Sequence, residues 1–97
     1  MTETLTLIAR IRARKGSEDV VRDALAALVP PTLEEDGCIE YRLHAVNGDP
    51  GLFYFVEQWQ TAEDLDRHLS SPHIRNVGTV LEGHVEDSCD TRMTRIA

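Results

Sequence analysis

Four side chains in the second half of the chain have the types and spacing for proton transfer at an aromatic ring: Glu57, Trp59, His68 and His73. An imidazole titrates near pH 6.5, so a neutral histidine in a pocket can take a proton from a phenol at working pH. A carboxylate beside it can orient the imidazole and steady the charge that forms. Trp59, Phe53 and Phe55 can stack on a planar substrate and keep water away from it. The chemistry within reach is removal of a proton from an electron-rich aromatic molecule.

The elements that must position these groups can be read from residues 53 to 73. A period of two puts Phe53, Phe55, Glu57 and Trp59 on one strand face, with Tyr54, Val56 and Gln58 on the other. Helical spacing follows. Thr61 is a good N-cap, Glu63 and Asp64 fall in the first turn, and Leu65, His68 and Leu69 share a face at i, i+3 and i+4. A short strand-to-helix turn lays that face back on the sheet and gathers a carboxylate, an indole and an imidazole around one apolar space. Buried carboxylates need partners. For Glu57 the expectation is a supporting role, orienting His68, although a structural bond to a helix residue would fit the same position. From its position alone His68 reads first as a neutral core histidine held by a backbone carbonyl. Its neighbour His73 follows Pro72 at the start of a second helical segment, at the pocket entrance or in solvent.

The rest of the chain supplies a frame. Residues 4–14 alternate, with Leu5, Leu7, Ala9 and Ile11 on one face and Thr6, Ile8, Arg10 and Arg12 on the other. Lys15 and Gly16 turn, Ser17 caps a helix, and Val21, Ala24, Leu25 and Leu28 form its inward stripe. Pro30 and Pro31 kink or restart that helix, and Gly37 stops it. Residues 38–46 read as a second strand with Ile39, Tyr41 and Leu43 on one face. From there the Tyr41 hydroxyl can reach the pocket, though a plain half-buried strand tyrosine reads the same way. Residues 47–51, Asn-Gly-Asp-Pro-Gly, read as the hairpin loop into strand three. Ser71 and Pro72 restart the helix, Ile74, Val77 and Leu81 carry its stripe, and residues 88–96 read as a last strand.

The order β-α-β-β-α-β with right-handed crossovers predicts an α+β, ferredoxin-like antiparallel sheet, order 4-1-3-2, with helices on one face. The other face would carry Ile8, Tyr54 and Val56. Left wet, these form an apolar patch, so two copies packed sheet to sheet are expected. Ninety-seven residues predict a single domain over 1–97 with a thin core. Seventeen acidic against ten basic residues, a net charge of −7, disfavour nucleic acid and anionic membrane surfaces. No apolar run approaches the roughly twenty residues of a membrane span. No basic start precedes an apolar run, so the expected compartment is the cytoplasm, without a signal peptide. Cys38 and Cys89 lack zinc or disulfide-framework spacing and are expected to begin strands at opposite sheet edges as reduced thiols. His68 and His73 lack the i, i+4 spacing of helical ligand pairs, so no metal is expected. The absence of GxGxxG and P-loop patterns gives no nucleotide cofactor.

Three motifs carry a family resemblance: Gly37-Cys38-x-x-Tyr41-x-Leu43, Phe53-x-x-x-Glu57-x-Trp59 and His68-x-x-Ser71-Pro72-His73. Together they resemble the antibiotic biosynthesis monooxygenase domain of the dimeric α/β-barrel superfamily, over nearly the whole chain. The resemblance implies a homodimer with its pocket between sheet and helices. It also implies cofactor-free oxidation of a quinol or polycyclic phenol by O2. His68 would then be the base, Glu57 its support, and Trp59, Phe53, Phe55, Tyr41 and His73 the substrate-binding residues. Haem-degrading relatives use an asparagine on strand one and a histidine on the second helical segment. This chain has no asparagine in strand one and Gly78 near the histidine's place, which argues against haem. An isomerase of a small phosphorylated dione shares the His-x-x-Ser-Pro-His pattern and would use the same base without oxygen. A non-catalytic, ligand-binding dimer is the third alternative.

Overall fold

The computed structural model describes residues 4–97, so the first three residues of the expected 1–97 domain lie outside the described residues. The elements run β1 (Leu5–Ala13), α1 (Glu18–Ala26), α2 (Val29–Leu33), β2 (Cys38–Val46), β3 (Asp49–Trp59), α3 (Ala62–Leu69), α4 (Pro72–Val80) and β4 (Val85–Thr94). All strand pairs are antiparallel and the sheet order is β2-β3-β1-β4, the order expected from the crossover rule. The helices cover one face. Among the described residues no helix is long and apolar enough to cross a membrane.

The core forms where the alternating faces of β1 and β3 meet the helical stripes. Leu7, Ala9, Ile11 and Ala13 of β1 lie beside Phe53, Phe55, Glu57 and Trp59 of β3, all buried. Val21 and Leu25 of α1 and Leu65 of α3 close over them. Each fully buried side chain of this kind contributes about 1.5–3 kcal/mol relative to exposure. On the uncovered face Ile8, Tyr54 and Val56 are half-buried in the single chain, and β4 is exposed along nearly all its length.

Several local expectations change. The first helix breaks after Ala26 and restarts as α2 with Pro30 and Pro31 in its first turn, where missing N–H groups cost nothing. Ser17 occupies the N-cap position of α1 but makes no capping bond, because its hydroxyl pairs with His84 Nδ1 at 2.9 Å. The hairpin loop is only Asn47 and Gly48, since the strand resumes at Asp49 and absorbs Pro50 and Gly51 beside a bulge at Ala45/Val46. A second bulge between Cys38 and Glu40 turns Ile39 outward, away from the face of Tyr41. The last strand starts at Val85, which puts Cys89 in mid-strand rather than at its beginning. Cys38 and Cys89 do sit on opposite edge strands, as free thiols.

Two features fix the chain where the sheet meets α3. Thr61 caps α3 by accepting from the Asp64 N–H at 3.1 Å, while its hydroxyl donates to the Asp64 carboxylate at 2.8 Å. That buried carboxylate also pairs with Arg67, so the helical face toward the sheet is Asp64, Leu65 and His68, with Leu69 left exposed. Against Asp64 lies Gly37, at φ 83°, where a Cβ would run into the carboxylate. Its carbonyl accepts from the Gln60 N–H at 2.8 Å, tying the turn before β2 to the end of β3.

Candidate active site

His68 sits in the last turn of α3 and is 1% exposed. Its ring lies 4.7 Å, centroid to centroid, from Trp59 and 5.3 Å, edge-on, from Tyr41. Tyr41 in turn stacks on Phe55 at 4.7 Å. Three of the sequence-picked aromatics therefore form one buried group with the imidazole. The bulge at Ile39 aims Tyr41 inward, and Tyr41 pairs across the strands with Glu57.

The carboxylate on His68 is Glu35, not Glu57. Glu35 Oε2 accepts from His68 Nδ1–H at 2.6 Å and from His73 Nε2–H at 2.8 Å. A carboxylate oxygen only accepts, which puts the His68 proton on Nδ1. His68 Nε2 makes no hydrogen bond among the described residues. Burial lowers the imidazole's pKa, the neighbouring Glu35 opposes that shift, and His73 adds to it. The net lowering favours the neutral ring, with Nδ1 held by Glu35 and no hydrogen bond to Nε2 among the described residues.

Glu57 was expected to support His68, but its carboxylate instead accepts the Trp59 indole N–H at 3.0 Å. Both residues point inward from β3 two positions apart, so the nearest donor takes the carboxylate first. Burial pushes the Glu57 carboxyl up to about 7, opposed by the Trp59 N–H and reinforced by the charges of Asp90 and Glu35. Burial likewise pushes the Tyr41 phenol well above its ordinary range. The fully buried Thr32 hydroxyl lies near that phenol without meeting the geometry of a hydrogen bond.

Sequence reasoning missed Glu35. It lies in an acidic turn, Glu34-Glu35-Asp36-Gly37, which reads as a solvated loop in a chain with seventeen acidic residues. Only the tertiary path brings it to α3 and α4. His68 and His73 also come together without sharing one helix. The helix breaks at Ser70 and Ser71, so the two imidazoles approach from two helices, with ring centroids 5.9 Å apart.

A cleft of about 550 Å³ opens at the β2 edge between sheet and helices, lined by Tyr41, Phe53, Leu43, Ala26, Val29 and Arg22 among others. Of the expected binding residues it takes in Tyr41 and Phe53. Trp59, Phe55 and His68 do not line it. His73 lines a smaller groove of about 130 Å³ between α1 and α4.

A family model described as antibiotic biosynthesis monooxygenase matches residues 4–78. The chain belongs to that family. "Probable quinol monooxygenase YgiN" of Escherichia coli K12 is 32% identical over 91 residues, covering 84% of this chain and 88% of that protein. Rv0793 of Mycobacterium tuberculosis, named as a candidate monooxygenase, is 36% identical over 76 residues, covering 78% of this chain and 74% of that protein. The crystal structure of PA3566 from Pseudomonas aeruginosa has a TM-score of 0.96 at 35% identity, covering 100% of this chain and 98% of that one. These family relatives bear out the ferredoxin-like fold.

The raised Glu57 pKa predicts a stability trend. The folded chain keeps this proton to about pH 7, whereas an unfolded glutamate loses it near 4.5. Between those values the folded state binds more protons, so the contribution is present below pH 4.5 and is lost as pH rises through 7. Glu57→Gln removes the ionisation. Denaturant melts should show wild type losing on the order of 3 kcal/mol relative to Glu57→Gln between pH 4.5 and 8. Parallel pH profiles for the two proteins would contradict this reading.

Proposed function

We propose that this chain is a cofactor-free monooxygenase that oxidises a quinol or polycyclic phenol with O2. The observation that carries the reading is the neutral, buried His68, held at Nδ1 by Glu35 and left free at Nε2 beside Trp59 and Tyr41. A substrate hydroxyl brought to Nε2 would lose its proton there, giving an electron-rich anion. Triplet oxygen cannot react with a closed-shell molecule in one spin-allowed step. The anion escapes this by giving up one electron first, after which the radicals combine. For a simple quinol the balance is quinol plus O2 to hydroxyquinone plus water. One oxygen atom enters the ring, the other leaves as water, and the substrate supplies all four electrons.

The cleft at the β2 edge has the size of a small-molecule site, with Phe53, Leu43 and Tyr41 beside the polar groups of Arg22, Arg42 and His44. Tyr41 belongs both to this cleft and to the ring group around His68, so a substrate must pass or displace it to meet Nε2. The named quinol monooxygenase among the relatives supports the substrate class. The roles we assign are base for His68, orienting carboxylate for Glu35, and ring contacts for Tyr41, Phe53 and Phe55. Trp59 closes the site behind the imidazole, held by Glu57, and His73 guards its outer side. The same base without oxygen would serve an isomerase. Because the cleft stops at Tyr41, a non-catalytic ligand-binding protein is the second reading.

Steady-state oxygen uptake with a panel of hydroquinones tests the proposal. His68→Ala should lower the rate about a hundredfold or more, with Leu65 still packed and the fold retained in thermal melts. Glu35→Gln should lower it less, since a neutral amide can still accept the Nδ1 proton. Unchanged uptake in a folded His68→Ala protein would remove His68 from the mechanism. Isomer formation without oxygen would favour the isomerase, and tight ligand binding without turnover the second reading.

We propose further that the chain works as a homodimer packed through the sheet face carrying Ile8, Tyr54 and Val56. Light scattering should give twice the mass of the 10.9 kDa chain, and a monomer mass at micromolar concentration would count against it.

A further inference from the structure

We propose that Glu35, His68 and His73 form a binding site for a divalent zinc-like ion, and that ion occupancy and use of His68 as a base exclude one another. The second half rests on the reading of His68 given above; the first does not.

Glu35, His68 and His73 each offer a ligand atom within 4.8 Å of the other two, and Glu35 Oε2 is 2.6 Å from His68 Nδ1 and 2.8 Å from His73 Nε2. Ligands at about 2.0–2.2 Å from a tetrahedral ion stand roughly 3.3 Å apart, so the two oxygen–nitrogen distances must open by roughly half an ångström while the two nitrogens settle to a similar spacing. Two imidazoles and one carboxylate form the His2Glu set that zinc uses with a fourth position left for water. With two nitrogens and one carboxylate, the set does not suit Mg²⁺ or Ca²⁺, which take oxygen ligands.

The supports are also present. His68 is fixed in the buried ring group, and His73 stands at the start of α4 behind the Ser71 cap. Glu35 is held in its turn by its N–H to the Thr32 carbonyl at 3.0 Å and by Cys38 N–H to its own carbonyl at 3.2 Å. His73 and Glu35 are partly exposed, and His73 opens onto the groove between α1 and α4, which gives the ion a path and room for a water ligand.

Exclusion follows from proton positions. In the ion-free chain the His68 proton is on Nδ1 and the lone pair is on Nε2. An ion bound at Nδ1 needs a lone pair on Nδ1 itself, so the neutral ring carries its proton on Nε2 instead. The proton count on the imidazole does not change, but the nitrogen that would take the substrate proton becomes a donor. His73 undergoes the converse shift, from Nε2–H to Nδ1–H.

The test is calorimetric titration of the chelator-treated full chain with ZnCl2, paired with the visible spectrum of the CoCl2-loaded chain. The expected result is one Zn²⁺ per chain, and Co²⁺ d–d bands that Zn²⁺ displaces. His73→Ala and Glu35→Gln should each weaken Zn²⁺ binding about a hundredfold or more. His84→Ala, which touches Ser17 instead, should not change it. No saturable binding, or equal affinity in the His73→Ala and wild-type chains, would overturn the site. Oxygen uptake measured in the same samples should fall in step with Zn²⁺ occupancy. Full activity at full occupancy would overturn the exclusion and leave the site standing. An ion-free chain that takes up no oxygen with any quinol would fail the functional reading without touching the binding result.

Discussion

The arrangement rests on one carboxylate oxygen shared by two imidazoles. Glu35 Oε2 reaches His68 from an acidic turn before β2 and His73 from across a helix break. Three local devices make that meeting possible. Gly37 takes a left-handed conformation that lets the turn close against Asp64, its carbonyl is tied to Gln60 at the end of β3, and Ser71 restarts the helix after the break. Without the break, residues five apart on one helix would not converge on a single atom. The bond also decides chemistry, because an acceptor at Nδ1 fixes which nitrogen of a neutral imidazole keeps its lone pair.

Around that bond the sheet builds a dry wall. Trp59 and Tyr41 lie against the imidazole and Phe55 backs Tyr41, so His68 is desolvated and its charged form is disfavoured. Desolvation also strengthens the Glu35 interaction, since a charge-assisted hydrogen bond gains in low dielectric. Glu57 takes a different place, keeping the indole N–H satisfied in a site with little other polarity. Tyr41 links the two halves of the site. It forms part of the cleft wall and touches His68, so movement of one ring would connect the cleft with the imidazole.

Much of this fold was legible in the sequence because its signals are local. Alternation over residues 53–59 and 5–11, the Thr61 and Ser71 caps, and the βαββαβ order give the sheet order without tertiary knowledge. His68 stood out because helical spacing put it beside Leu65. The misses are those where pairing geometry or distant contacts decide. The bulge that turns Ile39 out is set by registration against β3, and Ser17 loses its cap role to His84, sixty-seven positions away. Glu35 had no local mark, since one glutamate in an acidic turn looks like any other. Glu57 drew attention by its burial, which was right, but burial does not name a partner, and the nearer donor was Trp59.

The chain belongs to the antibiotic biosynthesis monooxygenase family, and within it the Glu35–His68 bond is the feature on which the proposed chemistry rests. The most direct measurement is the imidazole tautomer, read from ¹⁵N shifts and two-bond couplings of His68 in the ion-free protein at neutral pH. The expected result is a neutral ring with its proton on Nδ1, and a His68 spectrum that changes when Glu35 is replaced by alanine. A proton on Nε2, or a spectrum indifferent to Glu35, would mean that this carboxylate does not set the tautomer of His68.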